Sequence, residues 1–369
     1  MPNLSVGIVR GSGADKLLAH LAHQHGILTS PLVGTVLLLV AVVLGVGLVR
    51  KVRRAGGVRR LGATTVVLRG VAATGVVALA VGAYVNAYAG YLPTAGAVAQ
   101  LVQPAQATTG GHLSSVQIPA PSLGIAGGST EIYTPAGYES SPGRRYPVIY
   151  LITGSPGTPA DWFRAGRVDS TLEALTRAHV IPPAIVVAMG TGAGAMEDTE
   201  YLNVVGGPQV ETYYTDVVIA YIDAHYRTVP DRAHRVVGGI SSGGFGALNV
   251  GLHHLDLYST ILAFEPYGDP GPGSVDRLLG GDLARYRANS PAEYIRTMDF
   301  SQPVRVFLDV GGATGRDVTA VQALARDLTA RGQVVRFRVE PGEHHTWSET
   351  AAGLPYGLAF AGDQLRQGR

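Results

Sequence analysis

The stretch RVVGGISSGGFGALNV, residues 235 to 250, decides the fold. Val236 to Ile240 are β-branched or small and read as a buried strand, whereas Phe245 to Leu252 has helical character. Between them Gly239-Ile240-Ser241-Ser242-Gly243 satisfies G-x-S-x-G, directly after a strand and before a helix. A serine on so sharp a turn needs neighbours without side chains, because the backbone there passes close to the sheet. Ser241 is therefore the expected nucleophile, with Ser242 one register away as its rival.

Outward from this turn, short β-branched runs alternate with amphipathic segments. Strands are expected at 115–118, 130–133, 148–152, 184–189, 236–240, 260–264, 304–310 and 334–339, and helices at 169–179, 212–225, 245–252 and 318–331. Helical crossovers between strands imply a mostly parallel sheet with flanking helices. With the G-x-S-x-G turn, this is the α/β-hydrolase fold, expected over residues 113–369.

A serine hydroxyl is a weak nucleophile near neutral pH. A histidine must take its proton and a carboxylate must hold that histidine. In this fold the acid follows the second-last core strand and the histidine follows the last. Asp317, at the end of GGATGRD, and His345, in PGEHHTW, occupy those places. Asp309 within the strand and Glu343 beside the histidines are rival acids, and His344 is the rival base. Asp317 would also serve as a helix N-cap. Two backbone amides should stabilise the oxyanion: that of Ser242, and that of Ser155 in YLITGSPG, since Pro156 has no N–H.

Residues 31–49, PLVGTVLLLVAVVLGVGLV, carry no charge and suffice to cross a hydrocarbon core of about 30 Å. A second apolar run covers 70–92, with Asn86 as its clearly polar residue and Tyr84, Tyr88 and Tyr91 suited to the membrane interface. Between them RKVRRAGGVRR, residues 50–60, is the dense basic cluster, and Arg69 can snorkel toward headgroups. The expected organisation is an N-terminal segment 1–30, a two-helix anchor 31–92, a linker 93–112 and an extracytoplasmic catalytic domain. A cleaved signal peptide fits less well, because a second span follows.

With 27 acidic and 29 basic residues the chain carries a formal charge of +2, so nothing in its balance calls for nucleic acid. It has no cysteine, which excludes a thiol nucleophile, disulfides and thiolate metal sites. His20, His23 and His25 read as a solvated turn rather than a metal site. Gly190-Thr191-Gly192-Ala193-Gly194 imitates a dinucleotide loop without completing G-x-G-x-x-G. No metal or cofactor is expected. The loop 265–274, EPYGDPGPGS, is a candidate lid or pocket wall, and Trp162, Tyr201 and Trp347 are candidate pocket residues.

Over 112–369 the chain resembles the putative-esterase family of α/β hydrolases, which includes esterase D and the mycobacterial mycolyltransferases. Gly239-Ile240-Ser241-Ser242-Gly243-Gly244-Phe245-Gly246-Ala247-Leu248 matches the family pattern G-H-S-M-G-G-x-G-A-L, which assigns the nucleophile to Ser241 over Ser242. Residues 311–317 resemble the mycolyltransferase loop G-N-G-T-P-N-E with aspartate substituted, which favours Asp317. His345-Thr346-Trp347 resembles the family's H-x-W. DTEYLN, 198–203, and residues 216–228 look like actinobacterial members with membrane-spanning N-termini. The family's usual His-Gly after the third strand is Thr153-Gly154 here. The resemblance implies hydrolysis of an ester or acyl-lipid substrate through an acyl-serine. The alternatives are acyl transfer to a cell-envelope carbohydrate, as in the mycolyltransferases, and a catalytically inactive envelope-binding domain.

Overall fold

A computed structural model describes residues 12–23, 26–99, 110–192 and 198–367. His25, half of the expected linker (100–109), and Ala193 and Gly194 of the glycine pattern lie outside the described residues. The chain forms two compact units. One comprises His25–Gln103 with Thr346–Ser348, and the other comprises the rest.

The larger unit is built on eight strands: β1 (His112–Gln117), β2 (Ser129–Thr134), β3 (Val148–Ile152), β4 (Ile185–Met189), β5 (Arg235–Ile240), β6 (Thr260–Phe264), β7 (Arg305–Gly311) and β8 (Val334–Glu340). Their order is β1-β2-β4-β3-β5-β6-β7-β8. Strand β2 runs antiparallel to β1 and β4, and the remaining pairs are parallel. This is the α/β-hydrolase arrangement expected from the β/α alternation. Strands β3 to β6 are buried along their whole length, which is why they read as unbroken apolar runs. Edge strand β8 is half-exposed and carries Arg336 and Arg338, charges that discourage pairing with another chain.

Register fixes where the chemistry can occur. Ile152 pairs with Gly239, Ile240 with Phe264, and Phe264 with Asp309. The carboxyl ends of β3, β5, β6 and β7 therefore finish side by side. The residues that follow them, Thr153 to Ser155, Ser241, Glu265 and Gly312, open onto one rim, the place where open parallel sheets bind ligands.

The helix after Ser241, Ser242–His253, is buried from Ser242 to Leu252. Its far end is anchored through Glu211, whose Oε1 lies 2.9 Å from His253 Nδ1 and 3.0 Å from His254 Nε2. Glu211 opens the segment 210–225, whose middle turn, Tyr213–Val218, widens into a π-helix. The helix Trp347–Gln367 was not foreseen, because Gly353, Pro355, Gly357 and Gly362 break every sequence signal for one. Three of these residues answer to packing. A Cβ on Gly353 would sit 1.7 Å from Asp309 Oδ2, one on Gly357 2.9 Å from the Phe264 ring, and one on Gly362 2.5 Å from Val180 O.

In the smaller unit, Pro31–Arg54 and Ala63–Ala89 form two long apolar helices that pack together. Ser30 caps the first, with Pro31 at its first position. Gly34 lies against the Tyr84 ring, where a Cβ would come within 2.8 Å, and Thr35 Oγ1 is 2.8 Å from the Tyr84 hydroxyl. Small residues allowing such approach are characteristic of apolar helix pairs. Asn86 is satisfied locally: its Nδ2 donates to Leu28 O and Leu92 O, both at 2.9 Å, and its Oδ1 accepts from the Leu92 amide at 2.7 Å. Both helices have the length and composition to cross a membrane.

The Glu211 anchor makes stability pH-dependent. Burial alone would raise the Glu211 carboxyl, but the hydrogen bonds and charges of His253 and His254 outweigh it and pull the group down to about 2. Burial likewise opposes charge on His253, yet Glu211 and the Ala288 carbonyl raise its pKa. The depressed Glu211 contributes stability present above its ordinary 4.5 and lost as pH falls toward about 2. The raised His253 contributes stability present below its ordinary 6.5 and lost as pH climbs through the raised value. Glu211→Gln should therefore lower Tm most between about pH 5 and pH 6.5 and least in alkali. Thermal scans across pH should show this window, and a penalty independent of pH would contradict it.

Candidate active site

The turn at Ser241 is as sharp as G-x-S-x-G demands. Ser241 has φ 58° and ψ −122°, a region costly for a residue with a side chain, and its amide donates to Phe264 O at 3.0 Å. A Cβ on Gly239 would lie 1.9 Å from Gly243 O, and one on Gly243 would lie 2.4 Å from Ile152 O. Both positions therefore exclude a side chain for lack of space.

This turn presents Ser241 Oγ to His345 Nε2 at 2.7 Å. The structure brings these two residues together across 104 positions, with His345 rather than His344 facing the serine. The other ring nitrogen, Nδ1, is 3.3 Å from Glu265 Oε2.

Asp317 does not reach the histidine. It lies in the first turn of the helix Gly315–Ala330, where its amide donates to Thr314 O at 3.0 Å, and its carboxylate makes no contact with His345. Glu265, not Asp317, stands beside Nδ1. The reason is local: Glu265 directly follows β6, adopts φ 50°, and donates its amide to Asp309 O at 2.8 Å. That kink turns its side chain to the rim, where Oε1 accepts the Gly311 amide at 2.9 Å. Gly311 makes room for this, since a Cβ there would lie 2.9 Å from Glu265 Oε1.

Asp309, the rival acid, is fully buried and held by Arg338, with Nη1 to Oδ2 at 2.9 Å. Glu349 is buried beside it, and burial together with the neighbouring Asp309 and Glu265 carboxyls pushes its pKa well up. Burial thus opposes charge on Glu349, so the buried carboxyls behind the histidine do not readily charge together.

The loop after β3 closes the other side. A Cβ on Gly154 would lie 3.1 Å from both Ile240 O and Ser241 Cβ, which puts the Ser155 amide next to the nucleophile. The Ser242 amide belongs to the first turn of its helix, where N–H groups have no intrahelical partner. Both expected oxyanion donors thus flank Ser241. The Ser155 N–H, however, donates to the Ser242 hydroxyl at 2.9 Å.

Beside this loop lies a cavity of about 190 Å³, lined in part by Thr153, Ser155, Thr158, Tyr201 and Tyr214. Tyr201 is thus a pocket residue, as expected. Trp162 is instead core, fully buried at 6.2 Å from the Phe264 ring, and Trp347 opens the last helix. Gly190 and Gly192 also line the cavity, but space governs them: Cβ atoms there would lie 2.3 Å from Ser129 O and 2.6 Å from Gly127 O. Among the described residues no group of three or more His, Cys, Asp or Glu is placed to hold a metal.

Sequence reasoning missed Glu265 because the acid was sought after β7. The signal available was a glutamate immediately after a strand, at the head of the loop 265–274 already singled out as a pocket wall.

Known proteins resemble this chain. A Corynebacterium glutamicum protein of uncharacterized function is 29% identical over 205 residues, covering 52% of this chain and 46% of that protein. An esterase of Mycobacterium tuberculosis is 28% identical over 266 residues, covering 64% of this chain and 53% of that protein. The chain spans about half the length of these curated relatives. Among solved structures, a ferulic acid esterase superposes with a TM-score of 0.61 at 23% identity, over 69% of this chain and 98% of that one. An S-formylglutathione hydrolase of Agrobacterium tumefaciens gives 0.58 at 18% identity, over 69% and 96%. Both likenesses concern the fold. The family described as putative esterase matches residues 129–355, from β2 into the last helix, and the chain belongs to that family.

Proposed function

We propose that this protein is a serine hydrolase cleaving carboxylic esters through an acyl-Ser241 intermediate, with His345 as base and Glu265 as the acid that orients it. The observation that carries this reading is the continuous contact Glu265 Oε2, His345 Nδ1, His345 Nε2, Ser241 Oγ, at 3.3 and 2.7 Å. Membership of an esterase family supports it.

In the first half-reaction Ser241 Oγ attacks the ester carbonyl carbon while its proton passes to His345 Nε2. Glu265 accepts the hydrogen on Nδ1, which fixes the tautomer and stabilises the imidazolium that forms. The carbonyl oxygen becomes an oxyanion beside the Ser155 and Ser242 amides. Collapse breaks the bond to the alcohol, which takes the proton from His345. Water then repeats the sequence on the acyl-enzyme, losing its proton to His345 and releasing the acid. No metal or cofactor enters these steps.

The two apolar helices support a membrane anchor. Leu32, Val43, Val71 and Leu79 are each more than 60% exposed, a poor arrangement in water and a good one in lipid. The basic residues of 50–60 lie between the helices, which on the positive-inside rule puts that turn in the cytoplasm and the hydrolase domain outside.

A fluorophosphonate probe should label purified protein on Ser241, and Ser241→Ala should abolish the adduct. A well-folded wild type that stays unlabelled would sink the hydrolase reading. Glu265→Gln should lower kcat on a p-nitrophenyl ester by roughly 10³-fold or more, whereas Asp317→Asn should change it little. The reverse ranking would return the acid to Asp317. A C-terminal tag should be cut by protease added to intact cells, and protection would overturn the orientation.

A further inference from the structure

The Ser155 amide has one hydrogen, and in this structure that hydrogen points at the Ser242 oxygen, 2.9 Å away on a side chain only 2% exposed. Resting on the hydrolase reading above, we propose that the Ser242 hydroxyl occupies the second oxyanion donor in the free enzyme and must yield it each time an oxyanion forms. Ser242 thereby sets the strength of the oxyanion hole as a positioning residue, through its side chain as well as its amide.

The hydrogen bonds on this loop leave the Ser242 oxygen an acceptor. The Tyr201 phenol donates to Thr153 O, so its single hydrogen is committed and is not directed at Ser242. The Ser242 oxygen accepts from the Ser155 amide. Both side chains therefore bond the same three-residue loop, Ser242 at Ser155 and Tyr201 at Thr153.

Tyr201 is built to stay on this loop. It and Glu200 are consecutive non-glycine residues at φ 58° and 51°, an arrangement that persists only when its surroundings enforce it. The enforcement is visible. Glu200 Oε2 accepts the Tyr267 hydroxyl at 2.5 Å, the Tyr201 ring stacks on Tyr214 at 6.0 Å, and Gly246 leaves room for that ring, where a Cβ would approach to 2.9 Å. Burial raises the phenol's pKa, so it remains a donor throughout the working range.

An oxyanion is the stronger acceptor and will take the Ser155 hydrogen when it forms, but the bond to Ser242 must first be broken. In Ser242→Ala that competitor is gone while the Ser242 backbone amide remains. With full-length enzyme in detergent and p-nitrophenyl acetate, kcat should rise about 3- to 10-fold at unchanged KM, the range a neutral hydrogen bond covers. Ser242→Cys, whose sulfur is a poor acceptor of similar size, should move the same way and serves if the alanine variant folds badly. A fall in kcat in a variant of wild-type Tm would mean that the hydroxyl orients the amide rather than competes for it. An unchanged kcat would mean that the contact does not matter in turnover. Either overturns the proposal. Hydrogen exchange of the peptide carrying the Ser155 amide separates this inference from the hydrolase reading. Exchange should quicken in Ser242→Ala whether or not the wild type turns over esters, and unchanged exchange would overturn the resting occupancy itself.

Discussion

The close backbone approach at the serine turn is the constraint on which the rest depends. Gly243 passes so near the carbonyl of Ile152, and Gly239 so near that of Gly243, that no side chain fits at either position. This contact lets the helix Ser242–His253 start directly over the sheet, forces Ser241 into a rare backbone conformation, and leaves the loop after β3 against the nucleophile. The flanking strands then bring Glu265 and His345 to the same rim. The meeting of Ser241, His345 and Glu265 is thus a consequence of one packing constraint and one strand register.

How much of this was legible from the sequence follows from the range of the interactions. All eight strands were read to within a few residues, because buried parallel strands are continuous apolar runs bounded by turn residues, a local signal. The serine turn was equally local. His345 could be narrowed to a pair by its place after the last strand, and only its contact with Ser241 distinguishes it from His344. Glu265 was missed for the opposite reason. Its role arises from a positive φ, an amide bond to Asp309 O and space at Gly311, none of which a residue string displays. The last helix was hidden by glycines that answer to tertiary contacts with Asp309, Phe264 and Val180.

The region behind His345 is a problem in electrostatics. Glu265, Asp309 and Glu349 are all essentially buried, and the cations bearing on them are Arg338 and, when protonated, His345. Three unscreened negative charges there would repel one another strongly. Burial pushes the Asp309 carboxyl up to about 7 in spite of Arg338 and pushes Glu349 well up, so negative charge is disfavoured on both of them beside Glu265. Asp309 and Glu349 therefore shape the field at the histidine without touching it.

Placing the orienting carboxylate at the end of β6 has an evolutionary consequence. Glu265 and Tyr267 stand two residues apart, so the loop that steadies the imidazole also reaches, through Glu200, the Tyr201 wall of the cavity. Proton handling and cavity shape are thereby inherited together, and a change of substrate achieved by reshaping this loop disturbs both. Residues 314–317, beyond Gly311 and its bond to Glu265, are relieved of that double duty. They are the part of the rim where insertions could accumulate among relatives at least cost to the chemistry.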